Sequence, residues 1–220
     1  VRLLALLVGG AGSAVAALGG PRGAVERVAV GTPSERLPSL VRQVVEEAGL
    51  RLSELETLAV LTGPGSFTAI RAAVAAARAL ALATGRPVHA LSALELGAEL
   101  AGGDGPVLVL APAGRGEMAA HLFADRDHPL GEPSLLGPDD IAAATVGAPR
   151  WVLVDPEPGS PLTAAGPAEV VRTSGLALAR AALARAGRGR PPLPGPAIRP
   201  HYLRRPDARP EAGRPLVVAV

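Results

Sequence analysis

The residue types best suited to chemistry in this 220-residue chain gather at one loop-to-helix junction, Gly63-Pro64-Gly65-Ser66-Phe67-Thr68. Its glycines permit positive φ, Pro64 stiffens the turn, and Ser66 and Thr68 place hydroxyls where a helix begins. Helix starts carry unpaired backbone N–H groups and the positive end of the helix dipole. Gly63, Gly65, Ser66 and Thr68 are therefore candidates for holding an anion, as phosphates are held at other glycine-rich helix starts. The run is not a Walker loop, because no Gly-Lys-Ser/Thr follows and the chain has no lysine. The competing reading is a tight strand-to-helix turn whose hydroxyls cap the helix and bind nothing.

Elsewhere, groups for catalysis are sparse. The absence of cysteine excludes a disulfide framework, a thiolate nucleophile and Cys-ligated zinc or iron–sulfur clusters. His89, His121, His128 and His201 are scattered, with no pair at the i, i+4 spacing of a helix-borne metal site; His121 and His128 read as surface residues. Ser66 lacks a Gly-x-Ser-x-Gly elbow and an evident His and acid partner. Glu35 falls at a helix start and Glu117 at a strand edge, neither paired for acid–base work. The expectation is no catalytic residue, no metal and no cofactor.

The junction needs a strand before it and a helix after it. Leu58 to Leu61 reads as a buried strand, and a helix runs from Ala69 to Thr84, stopped by Gly85 and kept from resuming by Pro87. This helix is mostly alanine, with Ile70 and Val74 at i, i+4 and with Arg71 and Arg78 seven apart on a shared face. Small side chains let another helix approach closely, and arginines bond carboxylates or carbonyls. Ile70, Arg71, Val74, Ala75 and Arg78 are thus expected to meet a partner; a solvated charged face is the alternative. Val88 to Leu91 then reads as a strand, and Ser92 with Glu95 forms a capping box for another helix. Strand, helix, strand, helix is a parallel crossover pattern.

Upstream, Leu3 to Val8, Ala14 to Leu18 and Ala24 to Val30 read as an antiparallel meander. Ser34 is placed to cap a helix carrying Leu37, Leu40, Val41, Val44, Val45 and Ala48 at helical spacing, with Pro38 in or near its first turn. Arg2, the first apolar run and Ala14-Val15-Ala16-Ala17 imitate a secretory signal, which would make this an exported binding protein. The shortness of that run and the glycines at 9, 10 and 12 favour strands instead.

Gly102-Gly103-Asp104-Gly105 divides the chain into an N-terminal lobe, 1–102, and a smaller C-terminal lobe, 103–205, with a tail, 206–220, expected to be flexible. In the second lobe Val107 to Leu110, Met118 to Phe123 and Trp151 to Val154 are strand candidates, and helices are expected near 138–144 and 176–186. Gly187 to Pro200 should be extended. The sequence pI is about 10.2 although the net charge is only +2, because every basic side chain apart from histidine is arginine; this is no argument for nucleic-acid binding. No segment holds the roughly 20 unbroken apolar residues of a membrane span, so a soluble, cytoplasmic protein is expected.

The stretch from Ala59 to Arg71, the alanine-rich helix and Gly85-Arg86-Pro87-Val88 resemble the hallmark of the TsaB (YeaZ) family. So do Ser34-Glu35-Arg36-Leu37, Leu52-Ser53-Glu54-Leu55-Glu56, Ser92-Ala93-Leu94-Glu95, Arg115-Gly116-Glu117-Met118 and Pro200-His201-Tyr202-Leu203-Arg204, in matching order. The resemblance implies an actin/hexokinase-like (ASKHA) fold of two RNase H-like lobes. It also implies a non-catalytic subunit that pairs with a TsaD-type catalytic subunit to support threonylcarbamoyl transfer to the adenosine next to the anticodon of tRNA. A TsaE-type ATPase would join a larger complex, tRNA would be met indirectly, the isolated chain could self-pair through the same helix, and no membrane or glycoprotease activity is implied. The chain departs from the family where Leu7 and Val8 replace an Asp-Thr or Asp-Ser pair, the position that handles phosphate and metal in active relatives, and where Pro112 replaces a frequent Asp. The rival reading is a nucleotide-binding, kinase-like enzyme of the same superfamily.

Overall fold

Leu3 to Val8 forms a strand with both faces buried, which is why its sequence is apolar without alternation. Leu4, Leu6 and Val8 enter one core, and Leu3, Ala5 and Leu7 enter another on the opposite face. The computed structural model describes residues 1–9, 12–30, 33–146, 150–156 and 169–203.

Three strands open the chain as the expected meander: β1 (Leu3–Gly9), β2 (Gly12–Gly20) and β3 (Gly23–Ala29). After α1 (Pro33–Glu47), β4 (Thr57–Leu61) pairs parallel to β1, with Leu4 opposite Leu58. Helix α2 (Phe67–Thr84) crosses to β5 (Val88–Leu91), parallel to β4. The first sheet therefore has the order β3-β2-β1-β4-β5. Helix α3 (Ala93–Ala101) leads to β6 (Val107–Gly114), β7 (Glu117–Asp125), β8 (His128–Leu136), α4 (Pro138–Val146), β9 (Trp151–Val154), β10 (Glu169–Val171) and α5 (Gly175–Gly187). The second sheet has the order β10-β9-β6-β7-β8, the same arrangement of an antiparallel meander extended by parallel strands.

The elements stack in layers. Helices α1 and α2 cover the outer face of the first sheet, α3 and α5 lie between the sheets, and α4 covers the outer face of the second. The middle core joins Leu3, Leu7 and Leu61 to Val109, Phe123 and Val154 through Leu94 and Leu178. Contact there is close: a Cβ on Gly97 of α3 would lie 2.5 Å from Val154 and 2.6 Å from Val109. Helix α5 follows the second sheet in sequence yet packs on the first.

Leu37, Leu40, Val41, Val44, Val45 and Ala48 are all buried, as their spacing predicts. Pro38 is exposed and sits in the second turn of α1, because the helix already begins at Pro33. Ser34 is the second residue of α1, which begins one position earlier at Pro33, so it lies within the helix and not ahead of it as the expected cap; the tail from 206 lies outside the described residues. Two strands escape the sequence reading. β8 is an exposed edge strand interrupted by Pro129, Gly131 and Pro133, residues that an edge tolerates and a pattern search rejects. β10 is only three residues long. Among the described residues, only α2 is long and apolar enough to cross a membrane by length and composition, and its Ala69, Ile70, Ala73, Val74, Ala77 and Ala81 are buried in the fold.

Candidate functional site

Strand β4 delivers the chain to the junction through Thr62, whose N–H and hydroxyl both donate to the Leu91 carbonyl, at 2.8 and 3.1 Å. Gly63 follows with φ 116°, and its carbonyl accepts from Ala93 N–H at 2.6 Å, tying the start of α2 to the start of α3. The Gly63–Pro64 peptide is cis. Ser66 is the cap of α2, its hydroxyl accepting from Ala69 N–H at 3.2 Å. At the far end, Gly85 takes the left-handed conformation with φ 68° and closes the helix as expected.

The end of the described chain docks on this junction. His201 donates its N–H to the Thr62 carbonyl at 2.8 Å, and its own carbonyl would lie 2.8 Å from a Cβ on Gly63. Tyr202 stacks on Phe67 with ring centroids 4.9 Å apart, and the Arg71 guanidinium lies 5.7 Å from both rings. Arg71 Nε donates to the Tyr202 hydroxyl at 2.9 Å. Sequence reasoning saw Pro200 to Arg204 only as a matching motif, because nothing local records where a segment so distant in sequence will pack.

The anion candidates separate on this geometry. Gly63 is buried, with the His201 main chain against it, while Gly65, Ser66 and Thr68 are exposed, and the Ser66 hydroxyl serves as the helix cap. The partner-contact candidates divide as well. Arg71, Ala75 and Arg78 are exposed along one stripe of α2, whereas Ile70 and Val74 are each only 3% exposed and pack in the core beneath the helix. Ile70 and Val74 are therefore corrected from contact residues to anchors of α2, because the i, i+4 pair marks the buried face and the arginines the opposite one.

A second polar group forms where α3 begins. The Ser92–Glu95 capping box is present, with Glu95 N–H donating to Ser92 at 3.1 Å and Ser92 N–H to Glu95 at 2.8 Å. Glu95 also accepts from Arg185 of α5 at 2.8 Å. Burial, with a smaller contribution from Arg185, pushes the nearby His89 below the ordinary imidazole range. Burial likewise lowers His201, against an opposing pull from Glu95. His121 bonds the Gly131 carbonyl at 3.0 Å, and exposed His128 pairs with Asp125 at 2.8 Å. Among the described residues, no three His, Asp or Glu side chains are grouped to hold a metal ion. Glu35 is exposed on the first turn of α1, and Glu117 begins β7.

The family model for TsaD, tRNA N6-adenosine threonylcarbamoyltransferase, matches residues 18–186. The chain belongs to the TsaD family, on its TsaB (YeaZ) branch. The branch follows from the solved structure of YeaZ from Pseudomonas aeruginosa, 27% identical with a TM-score of 0.73, covering 92% of this chain and 99% of that one. An uncharacterised protein of Mycobacterium tuberculosis is 32% identical, covering 85% of this chain and 83% of the relative. Another from Mycobacterium leprae is 34% identical over 84% of this chain, which spans only 48% of that relative's length. The α/β architecture of two mixed sheets is that of the TsaB (YeaZ) branch. Within it, Leu7 and Val8 lie just before the last residue of β1, Gly9, as buried core residues, 8% and 4% exposed, and Arg115-Gly116 forms the β6–β7 turn with φ of 58° and 75°.

Proposed function

We propose that this chain is a non-catalytic subunit in the biosynthesis of threonylcarbamoyladenosine in tRNA, pairing through α2 with a TsaD-type catalytic subunit. The observation that carries the reading is the outward stripe of α2, where exposed Ala75 lies between exposed Arg71 and Arg78. Membership of the TsaD family supplies the reaction context, and the apolar end of β1 supports a supporting rather than a catalytic part. A partner helix can approach closely over alanine while its carboxylates or free carbonyls meet the guanidinium groups. On this reading a TsaE-type ATPase joins the larger complex and tRNA is met through the partner. The division into lobes at 102/103 is retained as part of the proposal, with α5 returning to the first.

The test is co-expression with the TsaD-type subunit of the same organism. Ala75→Glu and Arg78→Glu each place a carboxylate on an exposed position and should weaken co-purification without altering the fold. Retained pairing by both variants would overturn the interface.

A further inference from the structure

Beside the C-terminal half of α2 runs a groove of about 690 Å³, which the exposed stripe of the helix enters at Arg78. Leu82 stands at its α2 side, 87% exposed, more than any other large hydrophobic residue among those described. The opposite wall is Pro192, Pro194 and Pro196 of the segment after α5. That wall is fixed in place. Leu193 exchanges two backbone hydrogen bonds with Val88, at 2.8 and 2.9 Å, and Gly195 sits so close to α2 that a Cβ on it would lie 2.6 Å from that of Ala81.

The chemistry of the groove is one-sided. Proline has no N–H to offer, the Pro194 carbonyl is taken by Ala197 N–H at 2.9 Å, and the Pro196 carbonyl by Arg199. The rest of the lining is mostly apolar, with two cationic groups, Arg78 and Arg86, and no carboxylate. Neither arginine has an ion-pair partner among the described residues. The Arg86 guanidinium donates to the Ser53 carbonyl, at 3.4 Å. Leu82 and the prolines facing it form one apolar patch rimmed by charge, the kind of surface that marks an interaction site.

We infer that this groove receives an apolar side chain from the TsaD-type partner's contacting helix, and that carboxylates flanking that side chain pair with Arg78 and Arg86. The inference rests on the pairing through α2 proposed above and extends that surface to the end of the helix. An apolar anchor in a pocket with charges at its rim is the arrangement that concentrates binding energy in a few residues.

The experiment is calorimetric titration of the full chain against the TsaD-type subunit of the same organism, comparing wild type, Ala75→Glu, Leu82→Asp, Leu82→Met and Arg86→Glu. Leu82→Asp should weaken binding by roughly tenfold or more, Arg86→Glu by about threefold or more, and Leu82→Met should stay near wild type. Circular dichroism melts should be unchanged for all of them, since the altered side chains are exposed. If Ala75→Glu loses binding while Leu82→Asp and Arg86→Glu bind like wild type, the groove proposal falls and the α2 reading stands. If Ala75→Glu also binds like wild type, both fall. If Leu82→Asp instead breaks only a self-association of the isolated chain, the occupant is a second copy and the proposal is overturned.

Discussion

Arg71 donates from Nε to the Tyr202 hydroxyl at 2.9 Å, joining α2 to a residue 131 positions further along the chain. The same guanidinium sits over Phe67 and Tyr202, so one arginine ties the junction, the helix and the end segment together. Its orientation on the proposed partner face is therefore set by the end segment.

Tyr202→Phe keeps the ring stack and removes the hydrogen bond, and should cost about 0.5–1 kcal/mol. Tyr202→Ala removes both and should cost about 1–2 kcal/mol. Urea denaturation followed by circular dichroism distinguishes the two. Equal values for the two variants would mean that the stacked rings contribute nothing.

Gly63 tests how tightly the segment is seated. A side chain at φ 116° is strained, and its Cβ would meet both the His201 carbonyl and Ile70 Cδ1 at 2.8 Å. Gly63→Ala should destabilise the protein by about 2 kcal/mol or more. Hydrogen exchange at His201 N–H, which donates to Thr62, should accelerate in this variant as the segment lifts. Unaltered protection at that amide would show that the segment does not depend on the approach over Gly63.

Much of the first sheet was legible because its signals are local. The run Leu3 to Val8, the periodic apolar residues of α1, the cap at Ser66 and the stop at Gly85 each report their own element. Ile70 and Val74 were misassigned because i, i+4 spacing identifies a face without saying whether that face meets the chain's own sheet or a partner. The arginines on the opposite face were the information that decides it. β8 was missed for a different reason: an exposed edge strand has no buried face to impose alternation, and its prolines and glycine imitate a loop. The contacts of Tyr202 with Phe67 and Arg71 depend on the path of the whole chain, and no local pattern encodes them.

Arg188 holds the end of α5 between two carboxylates, Glu99 of α3 and Asp127 of the β7–β8 turn. The Arg188 hydrogen bond is the main cause holding the Asp127 carboxyl below its usual range. A carboxylate whose pKa is lower in the folded state contributes stability that is complete above its unfolded value, near 3.9, and lost as pH falls through the folded value. Arg188→Ala should cost about 1–3 kcal/mol at pH 7 and should flatten the loss of stability below about pH 4. Denaturant midpoints at pH 7, 4 and 3 measure both effects. A steep acid loss that survives the substitution would assign it to other carboxylates.

His89 gives the opposite test, in the neutral range. It is 6% exposed on β5, and burial first, then Arg185, disfavours its charged form; Arg185 is itself held by Glu95 at 2.8 Å. A histidine whose pKa is lower in the folded state contributes no penalty above its unfolded value, near 6.5. It destabilises progressively as pH falls through that value, because the unfolded chain takes up the proton first. His201 shifts in the same direction and also through burial. Wild-type stability should therefore fall as pH drops below about 6.5, and His89→Gln should make that fall shallower. Urea midpoints across pH 7.5 to 5 read the slope directly. A flat wild-type profile over this interval would mean that both imidazoles charge inside the fold as readily as in the unfolded chain, against the burial of β5.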